Sequence, residues 1–270
     1  MMKRSLNHMA APKLDWQGFV ALAKALNCVG VEFRNDLGRE LFEGAAPEDV
    51  GAACKMQGIK ILALAEVKAF DDWSDAKREE AAALMAIARA CGAERVSLIA
   101  RNDGVATGEA DRKAALSAAL AGLQPLLVEH DLIGLIEPLG FETCALRYKS
   151  EVVEAIHAAN VADRFQIVHD TFHHALAGGG PLFPEETGII HVSGVNKPGL
   201  AASDMRDPDR ELVDARDQLG NVAQVTEMLR KGYIGAVSFE PFSPVVHDLG
   251  DPRAAYEASF AFIEQGLAAR

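Results

Sequence analysis

The sequence predicts a closed parallel (β/α)8 barrel, and three observations carry that expectation. Strand-like and helix-like stretches alternate strictly along the chain, eight of each. The 270 residues match one such barrel, usually ~250 residues long, so 1–270 is expected to form a single domain. Four strand-like segments in the second half, 133–137, 165–170, 188–191 and 236–240, each finish on a residue able to hold a divalent metal: Glu137, Asp170, His191 and Glu240. A closed parallel barrel aims its strand ends at one point above the C-terminal rim, where such residues can meet.

The first strand is read at 3–7 and is followed by helical apolar spacing over 15–26. A strand at 29–34 leads to a helix at 47–56, and Gly58 punctuates the step to a strand at 59–65. Ser74 precedes an acidic first turn and opens a helix over 74–91 that Gly92 closes. The strand at 95–100 and helix at 110–130 come next, then the strand at 132–137 and helix at 150–159. The strand at 165–170 runs directly into a helix at 171–177. After the strand at 188–192 comes the longest loop, from Ser193 to about Gly220, rich in Pro, Asp, Gly and Arg; loops of this length often cover a site. A helix at 222–231 stops at Gly232-Tyr233-Ile234-Gly235, the last strand follows at 236–240, and a helix at 252–267 completes the set. A doubly wound sheet fits less well: no Gly-x-Gly-x-x-Gly turn follows the first strand, and the ligand residues are spread over four strand ends.

Composition narrows the partners. Hydrophobic residues make up 49% of the chain, enough for a sizeable core, and 27 basic against 39 acidic residues give a net charge of -12 that disfavours nucleic acid. Cys28, Cys54, Cys91 and Cys144 have no metal-type spacing and are expected as free core thiols. No apolar run approaches the ~20 residues of a membrane span, and Met1-Met2-Lys3-Arg4 leads into a strand without a signal-peptide core, so a cytoplasmic location is expected.

Glu137 before Pro138, taken alone, reads as a strand-end cap. As one of four it reads differently. In Ser238-Phe239-Glu240-Pro241-Phe242 a carboxylate ends an apolar strand, where an unpaired charge costs several kcal/mol that a cation would remove. All-oxygen and single-nitrogen ligation suits Mn²⁺, Mg²⁺ or Co²⁺, with Zn²⁺ also admissible. In His169-Asp170-Thr171-Phe172-His173-His174 only some imidazoles can face inward. His169 alternates to the other side of its strand. His173, one helical turn beyond Asp170, is the choice for contacting substrate, with His174 and His169 left to helix packing or support. His8, His130, His157 and His247 have no supporting motif and are expected to be solvated or capping.

Asp170-Thr171-Phe172-His173, the Ile190-His191-Val192 and Ile136-Glu137-Pro138 strand ends and Ser238-Phe239-Glu240-Pro241-Phe242 resemble the xylose-isomerase-like sugar isomerase and epimerase superfamily over nearly the whole chain. Leu6-Asn7-His8-Met9-Ala10, Val31-Glu32-Phe33-Arg34 and Ile59-Lys60-Ile61-Leu62-Ala63-Leu64 look closest to its inosose (2-keto-myo-inositol) isomerase branch. That resemblance implies Glu137, Asp170, His191 and Glu240 as metal ligands and Glu137 and Glu240 as an acid/base pair. It implies Arg210 as the arginine that steadies substrate oxygens, with Arg216 competing. Relatives commonly carry an acidic residue two or three positions after the metal histidine, whereas this chain reads His191-Val192-Ser193-Gly194.

The expected chemistry is isomerisation or epimerisation of a small unphosphorylated keto-sugar or inosose, with proton transfer through an enediolate stabilised by the divalent ion. A dehydratase would use the same intermediate to expel a β-hydroxyl. An endonuclease of the superfamily would need further histidines on the third and fourth strands, which end near Glu66 and Arg101 without one. A non-catalytic sugar-binding protein and a homo-oligomeric state are the remaining alternatives to test.

Overall fold

The computed structural model describes residues 2–105 and 108–269. Eight strands, β1 (Lys3–Asn7), β2 (Gly30–Arg34), β3 (Lys60–Lys68), β4 (Arg95–Ile99), β5 (Ile133–Glu137), β6 (Phe165–Asp170), β7 (Thr187–Val192) and β8 (Ala236–Phe239), pair in parallel with their sequence neighbours, and β8 closes on β1. The helices are α1 (Trp16–Ala25), α2 (Pro47–Met56), α3 (Asp75–Cys91), α4 (Glu109–His130), α5 (Lys149–Ala158), α6 (Thr171–Leu176), α7 (Asn221–Arg230), α8 (Pro244–His247) and α9 (Pro252–Ala268).

Local chemistry explains several boundaries. Asp15 accepts from the Gly18 amide at 2.7 Å and Ser74 from the Lys77 amide at 3.2 Å, each satisfying an otherwise free donor at a helix start. Gly92 takes φ +73° at the end of α3, a conformation that strains any residue with a Cβ. Strand alternation then divides the core. Val31 and Phe33 join the large cluster between strands and helices, while Leu62, Leu135, Val168, Ile189 and Ala236 form a small apolar layer inside the barrel. Glu137, Asp170 and His191 stand two residues beyond Leu135, Val168 and Ile189, so their side chains face the same interior, one layer nearer the C-terminal rim.

The structure corrects some expectations. β3 continues through Lys68 instead of stopping at 65. The four-residue α8 was not foreseen, being too short to display a helical period. The loop after β7 is not featureless: it holds 3-10 turns at Ala202–Asp204 and Asp207–Asp209, and Gly194 pairs antiparallel with Glu211. His8 is buried, not solvated, and its Nε2 meets the Leu14 carbonyl at 3.1 Å. It stacks on Phe19 with ring centroids 4.1 Å apart, and burial pushes its imidazole down to about 4. His247 Nε2 does reach the Pro241 carbonyl at 3.1 Å, His157 is exposed and His130 is half-buried. The four cysteines are buried free thiols.

Candidate functional site

Glu137, Asp170, His191 and Glu240 converge at the rim, with one donor atom of each within 4.8 Å of the others. His191 Nδ1 faces the three carboxylates, 3.3 Å from Glu240 Oε2, 3.7 Å from Glu137 Oε1 and 4.0 Å from Asp170 Oδ2. Ligands held at ~2.0–2.3 Å around one ion stand about 3–4 Å apart, so these spacings fit a single divalent cation. Glu137 Oε1 and His191 Nδ1 are buried and have no hydrogen-bond partner. Unpartnered buried polar atoms are costly, and a cation between them would remove that cost.

Glu32 orients the histidine. Its Oε2 accepts from His191 Nε2 at 3.0 Å, and its Oε1 accepts from the Ser238 hydroxyl at 2.5 Å. With Nε2 as the donor, the neutral imidazole presents its lone pair at Nδ1, toward the carboxylates.

Two arginines flank the cluster. Arg210 donates through Nη2 to Asp170 Oδ2 at 2.6 Å and Glu240 Oε2 at 2.9 Å, and through Nε to Ser193 Oγ at 3.0 Å. Its competitor Arg216 is exposed and paired with Asp214, so only Arg210 reaches the site. Ser193, within the segment where relatives carry an acid, thus serves as support for Arg210. Arg34 donates to Glu240 Oε1 at 2.7 Å while Asp36 holds its other side.

These neighbours push the two glutamates apart. Burial raises the proton affinity of Glu137, and the charge of Glu240 adds to the rise. Burial also acts upward on Glu240, but His191, Arg210 and Arg34 outweigh it and hold the group well below the usual carboxylate range. For His191, burial favours the neutral form, yet Glu32, Glu240 and Glu137 together raise it well above an ordinary histidine.

His173 is buried, its Nε2 3.9 Å from Glu137 Oε1 and its Nδ1 without a partner. Burial lowers its proton affinity, which favours the neutral ring. It lines a cavity of about 460 Å³ at the barrel mouth together with Arg34, Glu137, Arg210 and Glu240. His169 points away, with Nδ1 at Lys149 and Nε2 at Gln224, and His174 packs beside it. Glu32 and Arg34 were missed as site residues. The signal was present: charges alternating with Val31 and Phe33 in a buried strand have no apolar reason to point inward.

Residues 20–266 match the family model described as a xylose isomerase-like TIM barrel. No curated protein matches the chain. Among solved structures, a xylose isomerase domain-containing protein from Salmonella typhimurium is 26% identical, with a TM-score of 0.89 over 99% of this chain and 97% of that one. An IolI protein with a bound zinc atom is 16% identical, with a TM-score of 0.88 over 99% of both chains. An L-ribulose 3-epimerase is 16% identical, with a TM-score of 0.74 over 100% of this chain and 95% of that one. The chain belongs to the xylose isomerase-like TIM-barrel family.

Proposed function

We propose that the chain is a divalent-metal-dependent isomerase or epimerase of a small keto-polyol or ketose, of the 2-keto-myo-inositol type. The observation that carries this reading is the convergence of three carboxylates and one oriented imidazole on a shared point that leaves Glu137 Oε1 and His191 Nδ1 unpartnered. Glu137, Asp170, His191 and Glu240 would hold the ion. When bound there, a divalent ion polarises a carbonyl and offsets negative charge developing on the substrate oxygens. The zinc of the IolI structure agrees with a metal in this fold, and the donor set also suits Mn²⁺, Mg²⁺ or Co²⁺.

Proton transfer falls to Glu137 and Glu240. Each carboxylate has two oxygens, so one could ligate the ion while the other stands beside the substrate to take or return a proton. Removal and return at neighbouring carbons give isomerisation; return to the opposite face of one carbon gives epimerisation. His173 can share a hydrogen bond with a substrate oxygen, and Arg210 can steady a second. The barrel mouth, about 460 Å³, is roomy enough for a six-carbon polyol. With the net charge of -12, that favours a small neutral substrate over nucleic acid.

Incubating the metal-loaded protein with a panel of inososes and ketohexoses in D₂O tests the reading. Deuterium should enter at the carbon beside the ketone of at least one substrate, with an isomer or epimer accumulating. Loss of water from the substrate would identify a dehydratase instead. Binding without exchange would identify a non-catalytic sugar-binding protein.

A further inference from the structure

A second cavity, of about 220 Å³, opens between the start of α5 and the Gly178–Gly180 turn after α6. Arg147, Tyr148, Lys149, Ser150 and His174 line it together with His173 and Asp170, so it abuts the cluster at the barrel mouth. Val168 and Asp170 face the barrel interior, so His169 between them faces outward, and Lys149 meets it on that outer side of β6.

The hydrogen bonds fix how Lys149 is held. The Gln224 amide donates to the Thr171 carbonyl at 3.1 Å and the Leu219 carbonyl at 2.8 Å, which leaves its oxygen to accept from His169 Nε2 at 3.0 Å. His169 Nδ1 is therefore the lone-pair nitrogen and accepts from Lys149 Nζ at 2.6 Å. One hydrogen of the amine is used. Among the described residues no carboxylate pairs with it; the only acidic group that acts on it is Asp170, already committed to Arg210 and to the first amides of α6. A mostly buried amine with no counter-ion is expensive, and burial accordingly pushes it down to about 7.

Two further groups that can donate face no partner. His174 Nδ1 is buried without a hydrogen bond, and the first turn of α5 has no side-chain cap over its amides. The spare hydrogens of the Lys149 amine and the leading α5 amides call for an acceptor oxygen, and Asp170, the carboxylate on the cavity wall, is already paired with Arg210.

We propose that the cavity binds a small oxyanion, a carboxylate or phosphate group, with Lys149 as its counter-ion and His174 Nδ1 and the leading α5 amides as further donors. The anion would supply the missing partner of the amine and restore its charge. About 220 Å³ is small beside the ~300–1,000 Å³ of ordinary ligand pockets, which limits the occupant to an inorganic anion or a small acid. His173 borders both this cavity and the barrel mouth, so an occupant would sit next to the α6 turn that carries a substrate-facing side chain.

Titration calorimetry of the metal-loaded full-length protein with inorganic phosphate, and separately with acetate and malonate, tests the proposal without using catalysis. Saturable binding of at least one probe is expected, weakened at least ~10-fold in Lys149→Met and largely kept in Lys149→Arg. His174→Ala should weaken the same probe, and it serves as the test if Lys149→Met does not fold. Phosphate alone binding would name an inorganic or phosphorylated occupant; the acids alone would name a carboxylate. The proposal is overturned if the wild type binds none of the probes. Binding that survives Lys149→Met or His174→Ala unchanged also overturns it, because the anion would then be sitting elsewhere, for instance on the metal.

Discussion

At the scale of single residues, the proposed site rests on four donors that converge on one point. Glu137→Gln and Glu240→Gln each keep a carbonyl oxygen for weak ligation and remove the proton-accepting group. Each should cost at least ~10²-fold in substrate hydrogen exchange, measured on protein whose metal content has been restored and checked. His173→Ala should damage turnover with little loss of metal; metal loss in that variant would make His173 a ligand and point to a multi-metal site.

The pH dependence follows from His191. Its folded-state affinity for a proton is raised, so in the metal-free protein its contribution to stability is fully present below the ordinary histidine value of ~6.5 and is lost as pH rises through the raised folded value. A metal needs the unprotonated Nδ1. Its apparent affinity should therefore fall about tenfold for each pH unit of acidification per proton displaced, readable by competition with a chelator at several pH values. These four residues were legible in the sequence because each ends an apolar strand. Glu32 and Arg34 were legible only through their alternation with Val31 and Phe33 in a buried strand, a weaker signal than a lone ligand-type residue closing an apolar run. Lys149 gave no signal, because its meaning depends on a histidine 20 residues away on the outer face of another strand.

Among the elements, the loop from β5 to α5 and the short α6 position the site jointly. Gly140 lies so close to α6 that an added Cβ would stand 2.1 Å from the His173 carbonyl oxygen and 2.7 Å from Leu176 Cβ. The first of these is backbone and has little room to yield. Gly140→Ala should therefore shift α6, which carries His173 and is capped by Asp170, with an overpacking cost of about 1–3 kcal/mol. Thermal unfolding and metal affinity should both decline, whereas a loss of stability with metal affinity unchanged would mean that α6 moves independently of Asp170. The strand and helix pattern was readable throughout because period-2 and period-3.6 apolar spacing alternate cleanly. What escaped were features without a period: the extra length of β3, the single turn of α8 and the 3-10 turns after β7.

For the molecule as a whole, closure of the sheet converts distant sequence into one site. Arg34 and Glu240 are 206 residues apart and hydrogen-bonded at 2.7 Å, a contact that only the curvature of the whole barrel can bring about. A cation that binds the folded cluster and not the unfolded chain should stabilise the protein by ~2.7 kcal/mol at a hundredfold excess over its Kd. That corresponds to a Tm rise of about 5–10 °C for a chain of this size, reversed by chelator. An unchanged Tm on loading would mean that the ion binds folded and unfolded chains alike. Among the described residues no helix is long and apolar enough to cross a membrane.

The most direct measurement is anomalous scattering from crystals of metal-loaded protein. One peak is expected, bounded by Glu137, Asp170, His191 Nδ1 and Glu240 at about 2.0–2.3 Å from each donor. A peak elsewhere, several peaks drawing in His173, or none at a metal concentration that saturates the stability shift would contradict the single-ion site and the proton-transfer chemistry built on it.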